Sequence, residues 1–133
     1  MENCIFCKII KGEIPYHKVY EDDNNLAFLD VTPIAKGHTV IIPKLHAETI
    51  TDIEDDKLQS LFLAVKKVQQ KLKGKLNPDG FNGGWNNNEV AGQTVPHLHI
   101  HIIPRYNGDG GGSIHSIIKN PQIPVEEVVD ILK

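Results

Sequence analysis

The chain has 133 residues, 40% of them hydrophobic and 23% charged, with a net charge of −3 and an isoelectric point near 6.1. That length suits one domain over residues 1–133, and a composition so close to the globular average excludes disorder as the default. The mild acidity excludes a protein built to bind a nucleic-acid polymer, which needs a basic face to displace counterions; a small anionic substrate needs only a few local donors.

No run of about 18 apolar residues exists to span a membrane. The stretch from Met1 to Pro15 lacks the apolar segment of a secretion signal, so a cytoplasmic protein is expected. Phe6, Ile9 and Ile10 are spaced for one face of a short helix, which Gly12 and Pro15 would end. His17–Glu21 and Leu26–Asp30 read as two strands, joined through the turn residues Asp22, Asp23, Asn24 and Asn25. Thr32 and Pro33 open a loop that reaches Gly37, and His38–Ile42 follows as a β-branched strand stopped by Pro43.

The longest helix is expected from about Glu54 to Lys73. Leu58, Leu61, Phe62, Val65, Val68 and Leu72 form one apolar stripe, Thr51 with Glu54 suggests a capping box, and Gly74 lies just past the end. Asn77–Gly80 is a turn, and Phe81–Asn87 and His97–Ile103 are strands, the second framed by Pro96 and Pro104. Asn107–Ser113 reads as a mobile glycine-rich loop without the lysine and spacing of a P-loop, and Val125–Leu132 as a short final helix. Strands in hairpin-like succession with one long and one or two short helices imply an α+β domain with an antiparallel sheet of about five strands.

His97, His99 and His101 alternate with Leu98, Ile100 and Ile102. Side chains alternate across a strand, so the imidazoles share one face, neighbours roughly 6.5 Å apart. Three protonated rings so close would repel, and packing alone does not call for them. The residues admit two readings: a three-histidine metal site, or nucleophilic catalysis by one neutral imidazole that its neighbours orient. Just upstream, Gly92 permits close backbone approach, and Gln93 and Thr94 add donors of the kind phosphate oxygens accept. Cys4 and Cys7 form a C-x-x-C pair; with His46 and His97 they would make a closed tetrahedral zinc set. His17 and His115 are isolated and expected at the surface. Lys66, Lys67, Lys71, Lys73 and Lys75 belong to the solvated face of the long helix, and Trp85 to a core or an interface.

The run from Gly92 to Arg105, GQTVPHLHIHIIPR, resembles the signature of the histidine triad (HIT) family. Cys4–Pro15, Phe28–Asp30 and Gly37–Lys44 are similar to three further family segments in the same order, so the resemblance spans about Asn3 to Arg105. It implies a nucleotide hydrolase or nucleotidyl transferase that cleaves at the α-phosphate of a purine nucleotide derivative. His99 would be the nucleophile that carries the nucleotidyl group, with His101 and His38 supporting it. The resemblance further implies Asp30 at the ribose hydroxyls, Asn86 at phosphate or ribose, Gln93 and Thr94 near the scissile phosphate, and Phe6, Ile9 and Val31 as walls around the base. It also implies structural zinc on Cys4, Cys7, His46 and His97, and a symmetric homodimer. The histidine flank leans toward dinucleoside polyphosphate hydrolases, the N-terminal run toward phosphoramidases. Two other readings stay open: a non-catalytic nucleotide sensor, and a zinc hydrolase using the histidine strand itself.

Overall fold

The computed structural model describes residues 3–121 and 123–133. The first helix, α1 (Ile5–Ile10), buries Phe6, Cys7 and Ile9. Five strands follow: β1 (Lys18–Glu21), β2 (Asn25–Leu29), β3 (Thr39–Pro43), β4 (Gly80–Gly84) and β5 (Ile100–Arg105). They form one antiparallel sheet in the order β1-β2-β3-β5-β4, and the long helix α2 (Asp55–Leu76) lies between β3 and β4 in sequence. A four-residue helix, α3 (Glu126–Val129), ends the chain.

Register assigns the faces. Phe28 pairs with Val40, Val40 with His101, and His101 with Gly84, so these side chains stand on one side of the sheet. Ala27 pairs with Ile41 and Ile41 with Ile100, which places them on the other side. There α2 lays Leu61, Ala64, Val68 and Leu72 against Val19, Ala27, Ile41, Leu98, Ile100 and Ile102. Each fully buried aliphatic of this set contributes about 1.5–3 kcal/mol. The histidine side is closed by α1, whose Phe6, Cys7 and Ile9 meet Leu26, Phe28, Val40 and Ile42.

The helix stripe differs from expectation at one position. Phe62 is 39% exposed, and Ala64 takes the buried place beside Leu61 and Val68. The expected Thr51–Glu54 capping box does not form. Glu54 caps α2 without a side-chain hydrogen bond, whereas Asp52 accepts from the Thr49 hydroxyl and N–H at 2.8 and 3.2 Å. Asp55 and Asp56 supply the first-turn negative charge that the helix dipole favours. Gly74 does not stop the helix. Asn77 does, in the left-handed conformation at φ 50°, with its N–H on the Lys73 carbonyl, and Pro78 follows.

The last strand begins at Ile100, not His97, and includes Pro104. Proline is tolerated there because β3 pairs with β5 only as far as Ile102, so no ladder partner needs its N–H on that side. β4 ends at Gly84, short of Asn87, and α3 is shorter than the eight residues of Val125–Leu132. The glycine-rich segment is cross-tied: Arg105 donates to Asp109 at 2.8 and 2.9 Å, to Asn82 at 2.6 Å and to the Gly112 carbonyl. Among the described residues no helix is long and apolar enough to cross a membrane.

Candidate active site and metal centre

Three strand ends bring Asp30, His38 and His101 into one row. The Asp30 N–H donates to the His38 carbonyl at 2.9 Å, and Val40 is paired with His101, so the residues just beyond β2 and before β3 lie beside the start of β5. His38 Nε2 lies 2.9 Å from His101 Nδ1 and 3.5 Å from an Asp30 carboxylate oxygen. The His99 and His101 rings stand edge to face, their centroids 5.0 Å apart.

Hydrogen-bond partners assign the tautomers. A carbonyl oxygen only accepts, so His99 Nδ1, 2.8 Å from the His97 carbonyl, carries the proton and leaves a lone pair on Nε2. The Ile34 N–H donates to His38 Nδ1 at 3.3 Å, so His38 Nε2 is the protonated nitrogen and donates to His101 Nδ1. His101 then presents an N–H at its own Nε2. One ring thus offers a lone pair and its neighbour a donor.

Burial keeps these imidazoles neutral. It lowers the pKa of His99, against the opposing hydrogen bond to the His97 carbonyl and the charge of Asp30. His101 is brought down to about 4 by burial and then by His99 and His38, and burial also lowers His38. At Asp30 burial pushes upward, but the Thr32 N–H and hydroxyl and the two histidines outweigh it, so the carboxyl stays below its ordinary range. Phe6 covers the His99 side, its ring centroid 5.1 Å from that of His99 and 5.6 Å from that of Phe28.

His97 belongs to a different group. Its Nε2–H donates to the Pro43 carbonyl at 2.8 Å, which leaves Nδ1 as a lone pair aimed at Cys4 Sγ (3.3 Å), Cys7 Sγ (3.6 Å) and His46 Nδ1 (3.1 Å). Cys7 Sγ and His46 Nδ1 are 3.4 Å apart. Zinc bonds of about 2.3 Å to sulfur and about 2.0–2.1 Å to nitrogen put tetrahedral ligand atoms roughly 3.3–3.8 Å from one another, so the four residues fit a zinc-sized cation. Burial, then the hydrogen bond and charge of Cys4, raise the Cys7 thiol to about 11, so the cluster becomes a thiolate site only with a cation to offset the charge. A zinc centre made of His97, His99 and His101 is not what forms, because the first of the three turns toward the cysteines. Asp30, His38 and His101 also come within reach of a common cation, but two of their nitrogens are engaged with each other.

The remaining expected residues divide. Ile9 is buried against the α1 side of the sheet, whereas Val31 is 85% exposed at the rim. Asn86 is half-buried beside Gly92, whose φ is 103° and whose missing side chain would sit 3.6 Å from the Asn86 amide. Gln93 is spent on the loop itself: its carbonyl accepts from the Asn88 N–H at 2.8 Å and its amide donates to the Glu48 carbonyl at 2.6 Å. Thr94 is the exposed member of the pair. His17 and His115 are exposed, and Trp85 is partly exposed, edge to face with Phe62 at 6.0 Å. Sequence reasoning missed Phe28 as a wall of the site, although its alternation with Leu26 and Asp30 carries that signal. It also missed the Pro43 carbonyl and the Ile34 N–H, which have no side-chain signature.

Comparison with known proteins identifies the family. Residues 11–108 match the family described as HIT domain. An uncharacterized HIT-like protein of Methanocaldococcus jannaschii is 50% identical over 130 residues, covering 98% of each chain. An adenosine 5′-monophosphoramidase of Schizosaccharomyces pombe is 42% identical over 109 residues, 82% of this chain and 79% of the relative. Among solved structures, a HIT family member from Bacillus subtilis superimposes with a TM-score of 0.85 at 43% identity, covering 98% of this chain and 92% of the other. A zinc-bound histidine triad family protein from Mycobacterium smegmatis gives 0.77 at 33% identity, with 95% and 87% covered. By family match, by sequence and by fold, the chain belongs to the HIT family.

Proposed function

We propose that this single-domain chain is a nucleotide hydrolase or nucleotidyl transferase that cleaves a purine nucleotide derivative at its α-phosphate through a covalent intermediate on His99. The observation that carries the reading is the His99 ring, with Nδ1–H held by the His97 carbonyl and Nε2 left as a lone pair beside the N–H of His101. Relatives named for phosphoramidase and adenylylsulfatase activity support a substrate in which a nucleotide α-phosphorus bears an amine or another acid residue.

In the first step Nε2 of His99 attacks phosphorus, a P–N bond forms, and the bond to the leaving group breaks with its electron pair. A leaving amine collects a proton. His101 is the donor: the negative charge of a bound phosphate raises its proton affinity, so the ring takes up a proton as substrate binds, gives it to the leaving amine, and regains one from the water that attacks in the second step. Water then attacks the phosphorus, the P–N bond breaks, and a nucleoside monophosphate leaves. Splitting the reaction this way replaces one hard step with two easier ones. His38 orients His101 by its hydrogen bond, Asp30 receives the ribose hydroxyls, and Thr94 and Asn86 hold phosphate or ribose oxygens. Phe6 and Ile9 wall the base and Val31 lines its rim. Gln93 serves by holding the loop that carries Thr94.

The test is turnover of adenosine and guanosine phosphoramidates and dinucleoside polyphosphates by the wild type and by His99→Ala. The variant is expected to lose at least about a thousandfold in rate, as loss of an integral nucleophile does, and a quenched wild-type reaction to yield the adduct on His99. Equal turnover by the two proteins would refute the mechanism. Tight binding without any turnover would make the protein a sensor.

We further propose that Cys4, Cys7, His46 and His97 hold structural zinc, a reading supported by their separations and by the zinc-bound relative. With no open ligand position the ion supplies cross-linking, not chemistry. Metal analysis is expected to find one zinc per chain in the wild type and its loss in Cys4→Ser. A cytoplasmic homodimer is the assembly we propose, joined along β4. That strand is paired only to β5 among the described residues, and Trp85, the residue after it, lies exposed against the equally exposed Phe62. Sedimentation equilibrium at twice the monomer mass tests it.

A further inference from the structure

We propose that His97 and Phe6 are positioning residues that couple the geometry of the cysteine–histidine cluster to the nucleophile, so that metal occupancy sets the orientation of His99. The proposal rests on the zinc reading above and goes beyond it, because a closed structural site need not touch the chemistry at all.

Two independent connections run from the cluster to His99. The first passes through one residue. Both ring nitrogens of His97 are engaged, Nε2–H on the Pro43 carbonyl and Nδ1 among the other three ligand atoms, while the backbone carbonyl of that same residue accepts the His99 Nδ1–H at 2.8 Å. That carbonyl lies outside the sheet ladder, which starts at Ile100, so no strand pairing fixes it. Its position follows from the anchoring of its own ring, from the local His97 N–H bond to the Val95 carbonyl, and from the long-range Leu98 N–H bond to the carbonyl of Ala47, the residue after His46. The last of these bonds ties the same peptide unit to the neighbour of a second ligand, so displacement of His97 or His46 on the metal bears on the acceptor that holds the His99 tautomer.

The second connection is α1. Phe6 stands between the two cysteines, one residue from Cys7, and its ring packs edge to face on both His97 (centroids 5.8 Å, 77°) and His99 (5.1 Å, 81°). A helix of six residues is far too short to hold itself together. A cation on Cys4 and Cys7 closes the chain from residue 4 to residue 97 and fixes the end of α1 that carries Phe6. Without it, the helix is held to the sheet by the apolar contacts around Phe6 and Ile9 and by the weak thiol–imidazole contacts of Cys4 and Cys7.

The experiment uses the full chain loaded with zinc, loaded with cadmium, and stripped by a chelator, with metal content measured in each. Nitrogen-15 NMR of the imidazoles reads the His99 tautomer, and the quenched adduct from an adenosine phosphoramidate reads its reactivity. Cadmium, with longer bonds to sulfur and nitrogen, is expected to shift the His99 ring signals while those of the exposed His17 and His115 stay in place. Stripping is expected to add the second tautomer at His99 and to slow adduct formation ten- to a hundredfold, the range for loss of an outer-shell partner. Zinc-loaded Phe6→Ala is expected to raise KM and to shrink the effect of stripping. If stripping unfolds the chain, the cadmium comparison still decides. His99 signals indifferent to metal identity in a stoichiometrically loaded protein would overturn the coupling and leave the zinc site standing. Uptake of neither ion would overturn both.

Discussion

At His101 the imidazole is packed against His38 and His99, with the Asp30 carboxylate behind them, and its pKa is brought from 6.5 to about 4 by burial first and the two rings second. The unfolded chain binds a proton at this residue near pH 6.5 and the folded chain only near pH 4. Between those values the unfolded state holds more protons, so the stability this residue contributes is complete above about pH 6.5 and falls as the pH drops toward 4. The slope approaches about 1.4 kcal/mol per pH unit for one proton. His101→Asn removes this titration, and denaturant midpoints of the two proteins, both zinc-loaded, are expected to converge as the pH is lowered from about 7 to about 4.5. A constant difference across that range would show that His101 is not held neutral by its surroundings. The site was legible at the residues that carry it, because three histidines at alternate positions advertise one sheet face. The division of labour was not. His97 leaves that group because its ring finds the Pro43 carbonyl and two sulfurs, partners set by tertiary contact and silent in local spacing. The loop bonds of Gln93 were silent for a related reason: an amide that donates and accepts satisfies a loop backbone as readily as a phosphate.

Two glycines show how far element boundaries follow local rules. Gly37 has φ 91°, and a side chain there would run into a Leu76 methyl and begin 3.3 Å from the Pro104 ring, so the turn into His38 and the end of α2 both need the bare backbone. Gly74 lies inside α2 with nothing within 4 Å of where a side chain would start. Alanine at these positions is expected to act with opposite sign. Gly74→Ala stabilises by about 0.5–1 kcal/mol through helix propensity, whereas Gly37→Ala destabilises by about 1–3 kcal/mol through overpacking and the strained φ. Thermal denaturation of the two variants checks both, and destabilisation by Gly74→Ala would mean that the helix ends there after all. Sequence periodicity located every strand to within a few residues and found α2. What it could not locate were ends decided by non-local events: β5 starts late because the residues from His97 to His99 pack against the cysteine–histidine cluster and α1, and α2 outlasts Gly74 because Leu76 still has Gly37 to pack against.

On the scale of the molecule, one sheet separates two apolar layers: α2 fills one side, and α1 with the histidines the other. Neither layer draws on the end of the chain. Every described residue from Asn107 onward is exposed, including Ile114 (65%), Ile117 (76%), Ile131 (79%) and Leu132 (81%). The Arg105 ties reach Gly112 and no further. A segment that buries nothing adds little to the folding free energy, and removing exposed residues usually changes stability by no more than about 0.5 kcal/mol. Deleting residues 114–133 is therefore expected to move the thermal midpoint by less than about 3 °C and to leave the tautomers of His99 and His101 unchanged. The measurement is a denaturation series over a hundredfold range of protein concentration, for the whole and the shortened chain. A midpoint that rises with concentration in both agrees with association along β4. One that rises in the whole chain alone, with the shortened chain melting well below it, would show that the isoleucines and leucine of this tail are buried against a second copy. The stability of the fold would then have to be sought between chains as well as within one.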